Sequence, residues 1–260
     1  MRLPIFQIDA FASRSFAGNP AAVVILEEGW LAGELLQAIA AENNLSETAF
    51  VLTRSEPFPL RWFTPKVEVD LCGHATLASA HVLMKHYFPS CNEVKFTTRS
   101  GVLSVARLGG QLAMDFPARP AEQVPVSQEI IAALGAKPIE AYLARDLLVI
   151  FSAESEVAAL KPNFELVAAL DAFAVIASAR GDQMDFVSRF FAPRAGIPED
   201  PVTGSAHCTL IPYWANRLGK NVLVARQLST RGGQLTCVNK SGRVLIAGDT
   251  VEYLRGEIYV

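Results

Sequence analysis

RWFTPKVEVDLCGHATLASAH (61–81) and RFFAPRAGIPEDPVTGSAHCTL (189–210) are two versions of one pattern, set in opposite halves of a 260-residue chain. Each runs Arg-aromatic-Phe-x-Pro-basic, continues to an aspartate, and reaches a glycine that opens an alanine-containing, helix-like run. Asp70 precedes Gly73 by three residues, and Asp200 precedes Gly204 by four. A helix that begins at glycine offers unpaired backbone N–H groups and the positive end of its dipole, a ready place for an anion. A duplicated fold can aim two such openings at one small carboxylate.

The surrounding sequence fits a duplication. In the first half, PIFQIDAF (4–11) alternates like a half-buried strand, and AAVVIL (21–26) reads as a fully buried one after the turn at Gly18-Asn19-Pro20. Residues 31–43 carry helical spacing, with Asn43-Asn44 as the stop. ETAFVL (47–52) and LRWFT (60–64) read as strands, a helix is expected from about Gly73 to Tyr87, and residues 95–116 form a strand meander. ARPAEQVPV (118–126), with two prolines and no apolar period, is the best linker candidate. The second half repeats the order: a short helix near 127–135, buried strands, then a helix from Gly204 to Leu218 closed by Gly219.

These elements predict an α+β protein of two pseudo-symmetric domains, each a mostly antiparallel sheet around one central helix. The expected domains are 1–118 and 119–249, with strand 250–260 free to pack back onto the first. A doubly wound parallel sheet is the weaker reading, since strands come in runs and no G-x-G-x-x-G follows the first strand.

Composition narrows the function classes. Hydrophobic residues make up 51% and charged residues 19%, a balance suited to extensive burial. A net charge of −3 with no long basic run argues against nucleic acid or an anionic membrane as partner. Cys72, Cys91, Cys208 and Cys237 lack the paired spacing of a zinc site or a disulfide framework. AAVVIL is too short to span a bilayer and follows Asp9 and Arg14, which reads as a cytoplasmic protein without a membrane anchor.

Several side chains are candidates for chemistry. Glu47, among Leu45, Ala49 and Phe50, is a usable acid/base if it faces an apolar cleft, and otherwise an exposed strand residue or an arginine partner. His74 at a helix start is expected to be neutral because the dipole disfavours a cation, and serves either a substrate or the helix cap. His81 and His86 read as packing or surface groups, and His207 lies one turn too deep for a direct role. Asp200 either orients its turn or positions a proton. Cys72 at a helix N-terminus is expected to have a lowered thiol pKa, and with His74 it admits a weak nucleophilic-hydrolase reading.

GNPAAVV (18–24), NLSETAFV (44–51), DLCGHATLA (70–78) and EDPVTGSAH (199–207) together resemble the PhzF-like, phenazine-biosynthesis-like family of isomerases, whose fold is that of diaminopimelate epimerase. The blocks occur in the family's order and span nearly the whole chain. The resemblance implies an active site between the two domains, a homodimer, and neither cofactor nor metal. It makes Glu47 the catalytic acid/base, with His74 and Asp200 as polar residues of the same cleft. It makes Gly73, Gly204 and Ser205 the helix openings that hold a substrate carboxylate, with Asn19 as a substrate-side polar group.

One departure bears on the reaction. Related epimerases and racemases place a thiol before each glycine turn, whereas here the first turn keeps Cys72 and the second reads Pro201-Val202-Thr203-Gly204. Cys208 comes about one helical turn too late to replace the missing thiol. Inversion of a stereocentre needs proton donors on two faces, whereas a single glutamate can lift a proton and return it to another carbon. The expected function is therefore cofactor-independent isomerisation of a small carboxylate. The rivals are a racemase or epimerase using Cys72, a Cys72/His74 acyl-transfer enzyme, and a non-catalytic carboxylate-binding protein. Nothing in the sequence names the substrate or its pathway.

Overall fold

A computed structural model describes all of residues 1–260. In chain order the first part builds β1 (Arg2–Ala10), β2 (Asn19–Leu26), α1 (Gly33–Asn43), β3 (Glu47–Leu52), β4 (Phe58–Phe63), β5 (Glu68–Val69), α2 (Gly73–Val82), β6 (Glu93–Thr98), β7 (Gly101–Leu108) and β8 (Gln111–Pro117). The second part builds β9 (Glu122–Val124), α3 (Gln128–Leu134), β10 (Glu140–Leu143), β11 (Leu147–Ile150), α4 (Glu154–Ala159), α5 (Phe164–Ala169), β12 (Val175–Arg180), β13 (Phe186–Ala192), β14 (Ile197–Asp200), α6 (Gly204–Leu218), β15 (Val222–Gln227), β16 (Gly233–Lys240) and β17 (Arg243–Gly248). Strand β18 (Thr250–Tyr259) ends the chain. Two compact units result: Met1–Asp115 with Ala247–Val260, and Phe116–Ile246. The class is α+β.

In the first unit β2 is buried along its whole length, as its run of alanine and β-branched residues requires. It pairs antiparallel with β1 (Ile5↔Val24) and parallel with β3 (Ala21↔Glu47, Val24↔Phe50). Helix α1 seals one side by placing Leu36, Ile39 and Ala40 against Val24, Phe50 and Phe63. Helix α2 packs on β1, β2 and β3 and is buried almost all round, which suits an interior helix. Its small residues Ala75, Ala78, Ser79 and Ala80 let the strands approach, and Thr76 and Ser79 donate their hydroxyls to the carbonyls of Cys72 and Ala75. The helix expected to reach Tyr87 widens into a single π turn over Leu83–Tyr87. Strand β18 runs antiparallel along β1 from Arg2↔Tyr259 to Ala10↔Thr250.

In the second unit the pairing is again mostly antiparallel, with parallel steps at β11–β12 and β13–β15. Helix α6 is anchored by Trp214, whose indole N–H donates to Ser178 Oγ at 2.9 Å and whose ring stacks on Phe186. Helices α3, α4 and α5 bring Leu134, Val157 and Val167 onto Val149, Val175 and Val187. Two features depart from the sequence reading. The stretch 118–126 is not irregular throughout, because Glu122–Val124 pairs with β10 (Ala141↔Val124). Helices α4 and α5 were not anticipated; at six residues each they are too short to display a helical period, and α5 is held by Asn163 accepting from the N–H groups of Glu165 and Leu166.

The turn between β1 and β2 depends on Gly18. Its φ is +66°, and a Cβ there would lie 2.1 Å from the Ala10 carbonyl oxygen and 2.8 Å from Ala12 Cβ. Only glycine satisfies both limits, and the next residue is Asn19. Gly18→Ala is expected to lower stability by roughly 2 kcal/mol or more. Gly33→Ala, where nothing stands within 4 Å, should be neutral or slightly stabilising. Urea unfolding of both variants checks this; equal effects would remove the special role of the Gly18 turn.

Candidate active site

The two look-alike segments fold in the same local way. Arg61 donates from Nε and Nη2 to the two carboxylate oxygens of Glu68, at 2.7 and 2.8 Å, and Arg189 does the same to Glu199 at 2.7 and 2.9 Å. Each guanidinium also lies over the phenylalanine two residues on, 5.1 Å from Phe63 and 5.0 Å from Phe191. The Arg-aromatic-Phe motif thus clamps a returning strand, β5 on β4 and β14 on β13, and delivers the chain to the helix-opening glycine. The sequence shows both arginines, but the carboxylates lie seven and ten residues away, so spacing alone did not pair them.

In the first unit, three predicted residues meet around the start of α2. Glu47 is the first residue of β3 and is 8% exposed; His74 is the second residue of α2 and is 5% exposed. His74 Nε2 lies 3.0 Å from Glu47 Oε2. On its other side, Nδ1 lies 3.2 Å from the Asn19 side-chain amide and 3.6 Å from Cys72 Sγ. The β2–β3 pairing that sets Ala21 opposite Glu47 therefore also brings Asn19, two residues earlier, to the same place. Gly73 is the first helical residue, and no side chain caps α2.

Two electrostatic expectations are corrected by this packing. His74 is not held neutral. Burial pulls its pKa down, but the charges of Cys72 and Glu47 and hydrogen bonds to both carry it well above the ordinary value. A neutral Cys72 adds no charge, so the Glu47 carboxylate at 3.0 Å is the partner that outweighs the helix dipole. The Asn19 amide can serve either form of the ring, by its oxygen or its NH₂. Cys72 is not activated: burial, then the Glu47 charge, push its thiol up to about 11 despite the helix N-terminus. An unreactive thiol weakens the hydrolase reading.

The second unit assembles a different polar cluster at the start of α6. Asp200 is buried and accepts from the Thr203 hydroxyl. Gln227, fully buried on β15, accepts from the Thr203 N–H at 2.9 Å and donates to the Asp200 carbonyl at 2.8 Å and to Thr203 Oγ1 at 3.1 Å. Gly204 and Ser205 follow as the first two helical residues, the first buried and the second half-buried. Gln227 ties the Asp200–Thr203 turn together, and sequence reasoning missed it, since a lone glutamine at a strand end carries no signal. Asp70, the counterpart of Asp200, is exposed and offers only its carbonyl to Ser100. The resemblance between the segments therefore includes the arginine clamp but not the side chains at the helix openings.

The remaining histidines bond within the fold. His81 bonds Thr250 Oγ1, and His86 meets Glu252 and stacks on Phe6, so both tie α2 and its π turn to β18. His207 is fully buried, with Nδ1 2.8 Å from the Thr203 carbonyl.

A profile of the family described as phenazine biosynthesis-like protein, PhzC-PhzF, matches residues 8–256. An uncharacterized isomerase of Pseudomonas aeruginosa is 52% identical over 259 residues, covering 99% of each chain. The crystal structure of a PhzF-family phenazine biosynthesis protein from Enterococcus faecalis superposes with a TM-score of 0.98 at 49% identity, over 100% of both chains. A hydroxyproline epimerase from Agrobacterium vitis, solved with trans-4-hydroxy-L-proline, shares the fold at a TM-score of 0.61 and 10% identity, over 99% of this chain and 92% of its own. No helix is long and apolar enough to cross a membrane.

Buried histidines give the stability a pH signature. Burial pushes both His207 and His81 down to about 4, so between pH 4 and 6.5 the unfolded chain binds protons that the folded chain refuses. Stability from these two groups is complete above pH 6.5 and is lost as pH falls. His74, raised, works the other way: its contribution is complete below pH 6.5 and is lost as pH climbs through its folded value. His207→Gln is expected to flatten the fall in unfolding free energy around pH 5 by about 1.4 kcal/mol per pH unit, whatever it does to stability at pH 7. Denaturant titrations from pH 7 to 5 check this, and an unchanged slope would mean that His207 protonates without penalty.

Proposed function

The chain belongs to the phenazine biosynthesis-like family, and from that premise we propose that it is an isomerase moving a proton between carbons of a small carboxylate, with no cofactor. Relatives named as isomerases and epimerase-fold neighbours support the isomerase or epimerase class. The residue assignment is carried by one observation, the Glu47–His74 pair, 3.0 Å apart and buried at the opening of α2. A carboxylate in that position lifts a proton from a carbon adjacent to the substrate carboxylate and returns it to a different carbon on the same face. His74 steadies the carboxylate while it acts as base and relays its proton, and Asn19 orients the ring. The N–H groups at Gly73 hold the substrate anion, where charge builds as the C–H bond breaks.

The same reading assigns Asp200, Gly204 and Ser205 to substrate binding and proton positioning, and makes the protein a cytoplasmic homodimer. The raised Cys72 thiol favours isomerisation over racemisation, because a thiol that stays protonated is a poor base for a second face.

The test starts from a metabolite screen for a carboxylate that the protein converts. Glu47→Gln should then cut kcat by about 100-fold or more while the melting curve and carboxylate binding stay close to wild type. Ser205→Ala should act mainly on KM. Turnover that survives Glu47→Gln would reject the assignment. Conversion in heavy water that yields both stereoisomers with deuterium at the α-carbon would move the chemistry to a Cys72-dependent racemase.

A further inference from the structure

Strand β18, ten residues long, pairs antiparallel with β1 along its length, yet Tyr253, Leu254, Arg255, Gly256 and Glu257 are all exposed. A long exposed strand edge is a template for another chain. We propose that β18 is the seam of the homodimer, with two copies paired edge to edge and antiparallel across a twofold axis at Gly256. This names the contact surface of the homodimer proposed above and rests on that reading.

The pairing with β1 decides which backbone groups face outward. Met1 and Val260 exchange N–H···O=C bonds, so they form a hydrogen-bonded pair. Alternation then makes Leu3↔Ile258 and Ile5↔Gly256 bonded pairs, and Arg2↔Tyr259, Pro4↔Glu257 and Phe6↔Arg255 non-bonded ones. Pro4, which has no N–H, falls where none is needed. The N–H and C=O groups of Arg255 and Glu257 therefore point to the edge away from β1.

That edge is complementary to itself in one register. With Gly256 on the axis, Arg255 of each copy stands opposite Glu257 of the other, and these outward-facing residues form the bonded pairs. On the opposite face Leu254 of each copy meets Ile258 of the other, an apolar pair. Centring the axis on Arg255 or on Glu257 instead sets like charges opposite each other, which disfavours pairing. A slip of one residue sets outward groups against inward ones. The contact of Glu257 with Arg2, at 3.4 Å, is exposed and weak, so it does not compete with the pairing.

Gly256 itself points the same way. Nothing stands within 4 Å of where its Cβ would lie, and its φ is not positive, so the single chain makes no demand for glycine there. Glycine inside a strand weakens it and marks places where another backbone comes close. On the axis it would form a non-bonded pair with its symmetry mate, in which the Cα atoms stand about 4.5 Å apart.

Sedimentation of the full-length chain tests the seam. The wild type should be a dimer at micromolar concentration. Arg255→Glu and Glu257→Arg should each weaken it about 10-fold or more, and the two together should restore it, with unchanged circular dichroism throughout. In a Cys91→Ser background, Gly256→Cys should give a disulfide-linked dimer on mild oxidation, since the expected Cα separation lies within disulfide reach. A double reversal as weak as the single ones overturns the register. A dimer indifferent to both reversals, with Gly256→Cys left unlinked, overturns the seam and leaves the homodimer reading on another surface. A wild-type monomer overturns both.

Discussion

A carboxylate and an imidazole buried 3.0 Å apart are tolerable only because each offsets the other's desolvation. That condition organises the first unit. Glu47 heads β3, and the parallel pairing with β2 sets which residue stands beside it. The same pairing carries Asn19 to the far side of the His74 ring, and Gly18 makes the turn that allows it. Helix α2, buried nearly all round by small side chains, brings His74 into reach from its first turn. Chemistry and packing are linked here, since the Glu47 charge helps hold the proton on His74, and a glutamine in its place lets the ring stay buried in its neutral form.

The duplicated segments show what a repeat preserves. Both keep the arginine that clamps a glutamate on the returning strand and lies over the next phenylalanine but one. Both keep the glycine at the helix opening. The side chains around those openings diverge. Cys72 and His74 mark the first, whereas Asp200, Thr203 and Gln227 mark the second, locked together by their own hydrogen bonds. The scaffold is thus kept in both halves while the polar groups at the helix openings differ.

Burial also reverses a rule of thumb. A cysteine at a helix N-terminus is ordinarily activated, and a histidine there ordinarily neutral. Both tendencies are short-range dipole effects of about a kcal/mol, and a full charge at contact distance in a dry pocket exceeds them. The Glu47 carboxylate is that charge. For the thiol burial is the larger cause and this charge adds to it, which makes Cys72 quiet as a nucleophile, while the same charge raises the imidazole.

The blocks 18–24, 44–51, 70–78 and 199–207 revealed the family by resemblance, whereas the α+β class, the strand at 47–52 and both helix starts followed from local chemistry and element order: turns at Gly-Asn-Pro, runs of β-branched residues, glycine at a helix opening. Glu47 and His74 stood out as candidates with structural readings open beside the functional ones, and it was the family resemblance that assigned them to a site and added Asn19. What the sequence alone left undecided needed distance in space. Whether Glu47 faces solvent or His74, which carboxylate each arginine clamps, and why Gln227 matters all turn on residues far apart along the chain. The six-residue helices α4 and α5 show the same limit, being too brief to reveal a period and held by caps and by the core they cover. Charge state followed packing too, because the pKa of a buried group is set by the neighbours that tertiary structure brings within a few ångströms.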